Sequence, residues 1–223
     1  MDRNRLPIAA EGIPFAAGAG AVFLLVYLAG WMIPAFFFMA FTLFIVWFFR
    51  NPERNIPSGK DLIVSPADGK IIDVSHGIEP RILRKKLIRI SIFMNLFNVH
   101  VNRIPCSGRV LEISYNPGRF LSANRDKASL ENEQNAVVLE TTGGDQILFV
   151  QIAGLIARRI VCRLQKGERV ERGERFGLIR FGSRVDVYLP MDAAIEVSVG
   201  QKVKGGESIL ASIKQAGNQA GNQ

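Results

Sequence analysis

From Gly12 to Phe49 the chain carries no charged side chain, and so long an apolar run predicts a membrane segment. As one straight helix it would extend about 57 Å at 1.5 Å per residue, nearly twice the roughly 30 Å hydrocarbon core of a bilayer. Gly30 and Pro34 bracket its middle. The pattern therefore predicts two short membrane helices, near Pro14 to Ala29 and Ile33 to Phe49, joined by a tight turn. A re-entrant hairpin dipping into one leaflet is the other arrangement this length permits. The run is too long and too aromatic for the apolar core of a signal peptide. Arg3 and Arg5 precede it and Arg50 and Arg54 follow it, which places both flanks and the rest of the protein on the cytoplasmic side of the inner membrane.

The pattern then changes. A polar stretch with two prolines over 51–61 reads as a linker between an anchor (1–50) and a domain (62–215), with a polar tail over 216–223. The domain shows short runs rich in Val and Ile, separated by Gly, Pro and Asn, which reads as mainly β structure. The expected strands are Leu62 to Val64, Lys70 to Val74, Ile88 to Met94, Arg109 to Tyr115, Ala136 to Thr141, Gln146 to Ile152, Arg175 to Arg180 and Val185 to Leu189. Asn124 to Glu133 has room for a helical turn or two, and Ile156 to Val161 suits either helix or strand.

Two internal repeats refine the expectation. Gly167, Val170, Gly173 and Glu174 recur 33 residues later as Gly200, Val203, Gly206 and Glu207. A proline-led turn feeding a strand occurs at Pro66-Ala-Asp68-Gly-Lys-Ile71, Pro105-Cys-Ser-Gly108-Arg-Val110 and Pro190-Met-Asp192-Ala-Ala-Ile195. Together they resemble the barrel-sandwich hairpins of lipoyl and biotinyl carrier domains. The lysine settings that those carriers modify, Met-Lys-Met or Asp-Lys-Ala, do not occur, so the architecture is expected without the carrier function.

Net charge is +8, and 25 basic against 18 acidic side chains, +7, fall after residue 50. Such an excess suits an anionic membrane surface. The basic residues are scattered and lack the aromatic stacking pattern of single-strand binders, so nucleic acid is not an expected partner. Cys106 and Cys162 suit a reducing compartment, and neither has a metal-type partner at short spacing.

Only two histidines are present. His76, in Ser75-His76-Gly77, reads as a solvated turn residue. His100 lies in the apolar run Phe93 to Pro105, where a polar ring needs a reason to be buried. Asp68 sits in the turn Ser65-Pro66-Ala67-Asp68-Gly69. The most informative pair is Gly182-Ser183 between two extended segments, because a serine there can attack the preceding carbonyl and cut the chain.

In one order along the chain, Ser65-Pro-Ala-Asp68-Gly, Asn98-Val-His100-Val-Asn-Arg-Ile-Pro105, Gln151-Ile-Ala-Gly-Leu-Ile-Ala-Arg-Arg159, Lys166-Gly-Glu and Phe181-Gly182-Ser183-Arg184 resemble the short form of the phosphatidylserine decarboxylase family. That resemblance implies self-cleavage between Gly182 and Ser183. A β chain (1–182) and an α chain (183–223) would then form a heterodimer. Ser183 would become a covalent pyruvoyl group, which forms a Schiff base with phosphatidylserine and yields phosphatidylethanolamine and carbon dioxide without metal or external cofactor. Ser183, His100 and Asp68 are the catalytic residues it implies.

Long-form members carry a His-x-x-His pair and a Gly-Ser-Thr cleavage site. Here Arg103 replaces the second histidine and Arg184 the threonine, so either His100 serves both maturation and turnover or Asp68 acts with a water. Arg103 and Arg184 are candidates for holding the lipid phosphate or the departing carboxylate. Two other readings compete: a membrane-anchored β adaptor without catalysis, and a pyruvoyl decarboxylase of a soluble amino acid.

Overall fold

The computed structural model describes residues 6–59, 61–118, 132–154, 160–180 and 183–213. Arg3, Arg5, Gly182, the 216–223 tail and nearly all of the helical turn expected at 124–133 fall outside them. The chain divides into two units, Met1–Glu53 and Arg54–Gln223.

In the first unit, a 3-10 turn at Ala10–Gly12 runs into α1 (Ile13–Leu28), and α2 (Met32–Phe48) folds back against it. Pro14 sits in the first turn of α1, where its missing N–H is not needed. Gly30 makes the reversal at φ 82°, a left-handed angle that glycine adopts without steric cost. Ala10–Leu28 spans 19 residues with a mean hydropathy of 1.6 in its most apolar window, only 6% of it buried. By length and composition it is the described helix able to cross a membrane; α2, at 17 residues, is shorter.

The second unit is built of β1 (Leu62–Val64), β2 (Gly69–Ile78), β3 (Lys86–Met94), β4 (Val101–Arg103), β5 (Gly108–Asn116), β6 (Gln134–Thr141), β7 (Gln146–Ile152), β8 (Ile160–Cys162), β9 (Arg169–Val170), β10 (Arg175–Ile179), β11 (Ser183–Leu189), β12 (Ala194–Ile195), β13 (Lys202–Val203) and β14 (Ile209–Ser212). The main sheet runs β13-β2-β3-β11-β7-β6-β5-β9, and two small sheets run β1-β14-β12 and β4-β10-β8. All pairings are antiparallel.

These orders reveal a duplication. β1-β2-β3 corresponds to β4-β5-β6, and β7-β8-β9-β10 corresponds to β11-β12-β13-β14, with the equivalent strands symmetrically placed in their sheets. Both sequence repeats take part in it. Gly167, Gly173, Gly200 and Gly206 all have left-handed φ, between 81° and 95°, and each pair brackets a two-residue strand. β9 docks on Gly108 and β13 on Gly69, the glycines that end two of the proline-led turns. A Cβ at Gly69 would lie 2.3 Å from the Phe93 carbonyl oxygen, and one at Gly108 would lie 2.1 Å from that of Glu140.

Alternation along the strands sends Ile90, Ile92, Val185, Val187, Ile147 and Phe149 into one large core. On the other face, Ala136, Val138, Leu148, Val150 and Ile152 form a second cluster, against which Ile82, Leu83 and Tyr188 pack. His76, read from sequence as a turn residue, is exposed but lies inside β2, opposite Ile88.

Candidate active site

Ser183 opens β11, the strand held between β3 and β7. It pairs with Met94, the last residue of β3, and its side chain is completely buried. Its Oγ donates to Met94 Sδ at 3.4 Å.

Two connections run from one sheet pair to the other at this point. β3 leads through 95–100 into β4, while β10 leads through 180–182 into β11; β3 pairs with β11 and β4 with β10. The end of β10 is therefore joined to the segment that ends in His100. His100 is 3% exposed, and its carbonyl accepts from the Ile179 N–H at 3.4 Å, three residues before Gly182. Next to it, Asn95 and Asn98 lock a tight turn: the Asn95 N–H donates to Asn98 Oδ1 and the Phe97 N–H donates to Asn95 Oδ1, each at 2.9 Å. That turn presents Leu96 and Phe97 to solvent.

Asp68 is not in direct reach of Ser183. It precedes Gly69, and β3 lies between β2 and β11, which separates the two residues by about two strand spacings, roughly 10 Å. Its carboxylate accepts both hydrogen bonds of Arg54 Nη2 at 2.9 Å and the Gly205 N–H at 2.8 Å. The same turn is tied to position 103, where the Arg103 N–H donates to the Pro66 carbonyl at 2.9 Å.

The two arginines named from sequence have partners inside the fold. Arg103 is 5% exposed and donates to the Gly173 carbonyl at 2.8 Å. Arg184 points to the face opposite Ser183, where it pairs with Asp186 and donates to Ser91 Oγ at 2.8 Å. With Arg184 and Asp186 at most 1% exposed, the guanidinium is neutralised where no headgroup reaches it. Their side-chain geometry thus gives no ground for expecting either at the lipid phosphate. Beside that pair, burial and then the Asp186 charge push the Tyr188 phenol up to about 12.

On the Ser183 face lie buried amides that the sequence reading did not single out. Asn135 Nδ2 donates to Gln151 Oε1 at 3.0 Å, Gln151 Nε2 to Asn102 Oδ1 at 2.9 Å, and Asn102 Nδ2 to Met94 Sδ at 3.7 Å. The available signal was parity: Gln151 shares its face with Ile147 and Phe149, where an apolar residue is the default. Among the described residues, no group of three or more His, Cys, Asp or Glu side chains is placed to hold a metal ion. Burial pushes the Cys106 thiol up to about 12, which keeps it protonated.

A family model described as phosphatidylserine decarboxylase matches residues 41–211. The chain belongs to the phosphatidylserine decarboxylase family. Relatives named phosphatidylserine decarboxylase proenzyme include that of Syntrophus aciditrophicus, 54% identical over 92% of this chain and 97% of its own length. That of Geotalea daltonii is 50% identical over 94% and 98%, and that of Rickettsia akari is 55% identical over 76% and 75%. In this member of the decarboxylase family, Arg103 braces the turn that carries Asp68.

Proposed function

We propose that this protein decarboxylates phosphatidylserine to phosphatidylethanolamine and carbon dioxide, using a pyruvoyl group made from Ser183 by cutting its own chain after Gly182. The observation that carries this reading is the placement of Ser183: a fully buried serine that opens a strand clamped on both sides, just after a strand end bonded to His100. The site suits the group. Its main chain pairs with Met94 of β3, β7 holds the strand from Arg184 onward, and the Met94 thioether beside the side chain accepts a methyl group as readily as a hydroxymethylene.

Ser183 Oγ adds to the Gly182 carbonyl carbon, the C–N bond breaks with a proton passing to nitrogen, and an ester then links the two parts. Loss of the Ser183 Cα proton breaks the Cβ–Oγ bond and releases Gly182 as a carboxylate. The dehydroalanine left behind takes up one water and loses ammonia. His100, whose carbonyl is bonded to the end of β10, takes the serine proton. Asp68, paired with Arg54 and distant from Ser183, acts by fixing the turn on which Arg103 rests.

In turnover the ketone supplies an electron sink for the bonding pair released as carbon dioxide departs. His100 returns a proton to the carbon that lost its carboxylate. Leu96 and Phe97 offer the acyl chains an apolar contact next to His100. We read α1 and α2 as a membrane hairpin that holds the domain on the cytoplasmic face of the inner membrane. The duplicated corners are barrel-sandwich corners like those of carrier domains, used here to frame a cleavage site.

Intact-mass measurement tests maturation, and product analysis with phosphatidylserine vesicles against free serine tests the substrate. Two fragments and phosphatidylethanolamine are expected. A single fully active 24.7 kDa species would overturn the reading.

A further inference from the structure

The amides beside Ser183 form a directed relay. Gln151 Nε2 also faces the Val161 carbonyl at 3.5 Å, and a carbonyl oxygen only accepts. The orientation of the Gln151 amide is therefore fixed by main chain, whatever its other neighbours. Its Oε1 is left to accept from Asn135, and its Nε2 meets Asn102 Oδ1. With its oxygen engaged, Asn102 must present its N–H to Met94 Sδ, the same sulfur that receives the Ser183 hydroxyl. Met94, Asn102, Gln151 and Ser183 are all completely buried, and Asn135 is 4% exposed. The relay joins three elements, β6, β7 and β4, and ends at the residue opposite the cut.

We propose that Asn102 is a positioning residue for self-cleavage, acting through Met94. This rests on the maturation described above and adds to it the control of the serine hydroxyl. Methionine is unbranched and flexible, and by itself it gives Ser183 no fixed stop. The N–H of Asn102 pins the sulfur, and the pinned sulfur holds Oγ in one orientation until it turns to the Gly182 carbonyl. Once Oγ has left with Gly182, that role ends, so Asn102 governs maturation and has little part in turnover.

The test follows conversion of newly made full-length protein into two chains on gels, with the mature fraction assayed separately per pyruvoyl group. Asn102→Leu should slow processing on the order of 10- to 100-fold, while kcat of the matured fraction stays within about threefold of wild type. In a double-mutant cycle, Asn102→Leu should add no further slowing to Met94→Leu. Asn102→Asp gives an independent readout: as a neutral acid it donates to sulfur, as a carboxylate it cannot. Its processing rate relative to wild type should therefore fall at least tenfold between pH 5 and pH 8. If Asn102→Leu does not fold, the pH profile of Asn102→Asp decides. Wild-type processing in folded Asn102→Leu, full additivity with Met94→Leu, or a flat relative profile in Asn102→Asp would overturn the proposal while wild type is still cut. Failure of wild type itself to split would remove the maturation reading instead.

Discussion

Ser183 and Met94 meet across the β3–β11 pair, Oγ 3.4 Å from Sδ, with neither side chain open to solvent. A thioether is a weak acceptor and takes no proton, so this contact holds the hydroxyl without activating it. Removing the hydroxyl removes the nucleophile while sparing the strand pairing. Ser183→Ala should stay a single 24.7 kDa chain, with no carbonyl trapped by hydroxylamine and no decarboxylation, as intact mass and product analysis would show.

His100 ends the connection between β3 and β4, and its carbonyl accepts from the Ile179 N–H at the end of β10. Loss of a general base or acid costs about 10²–10⁴-fold. His100→Ala should slow both the appearance of two chains and turnover by at least 100-fold, followed on gels and by carbon dioxide release. A normal turnover rate in matured variant would exclude the histidine from the chemistry.

Behind the site, Arg184 and Asp186 neutralise each other in the sheet interior. Removing one partner of a buried pair leaves an uncompensated charge and costs about 3–5 kcal/mol. Asp186→Asn should lose that much in urea unfolding, and the double change Arg184→Met with Asp186→Leu should recover most of it.

Glu79 organises the loop over the second apolar cluster. Burial raises its pKa, but N–H donors from Arg81, Ile82, Leu83 and Arg84 outweigh this and hold it below the ordinary carboxylate value. A depressed folded pKa contributes stability that is complete above the unfolded value, about 4.3, and is lost as pH falls through the folded one. Glu79→Gln should therefore be less stable than wild type by about 2 kcal/mol at pH 7, with the gap closing as pH drops below about 4. Chemical unfolding at several pH values checks this.

The apolar helices carry the membrane reading. Deleting residues 1–50 should leave self-cleavage intact, since every described strand lies beyond Glu53. Flotation with vesicles should fall, and with it the conversion of vesicle phosphatidylserine.

The longer strands were legible because alternation and turn residues agree locally. β1 and β7 match expectation, and β3, β5, β6 and β10 differ only at their ends. The two-residue strands β9 and β13 were not, because two residues carry no periodicity; their place was foreshadowed by the flanking repeat glycines. β4 was hidden inside the His100 segment, whose residues drew attention as chemistry and not as a strand. At the candidate site, Gly182-Ser183 and His100 stood out in the sequence as candidates by their residue types and neighbours. Separation of Asp68 from Ser183 could not, since the strand between them, β3, is set by pairing distant in sequence. Parity hid the fate of Arg184: one step along β11 from Ser183 turns a side chain to the opposite face.

The junction between β10 and β11 is also the boundary between the two copies of the duplicated strand set. The fragment that begins at Ser183 contributes an interior strand and an edge strand to the main sheet, and the middle strand and one edge of a small one. Scission removes one covalent link and none of those ladders, so severing the backbone and separating the products are different events. The matured pair should run as one particle on size exclusion and come apart only in denaturant.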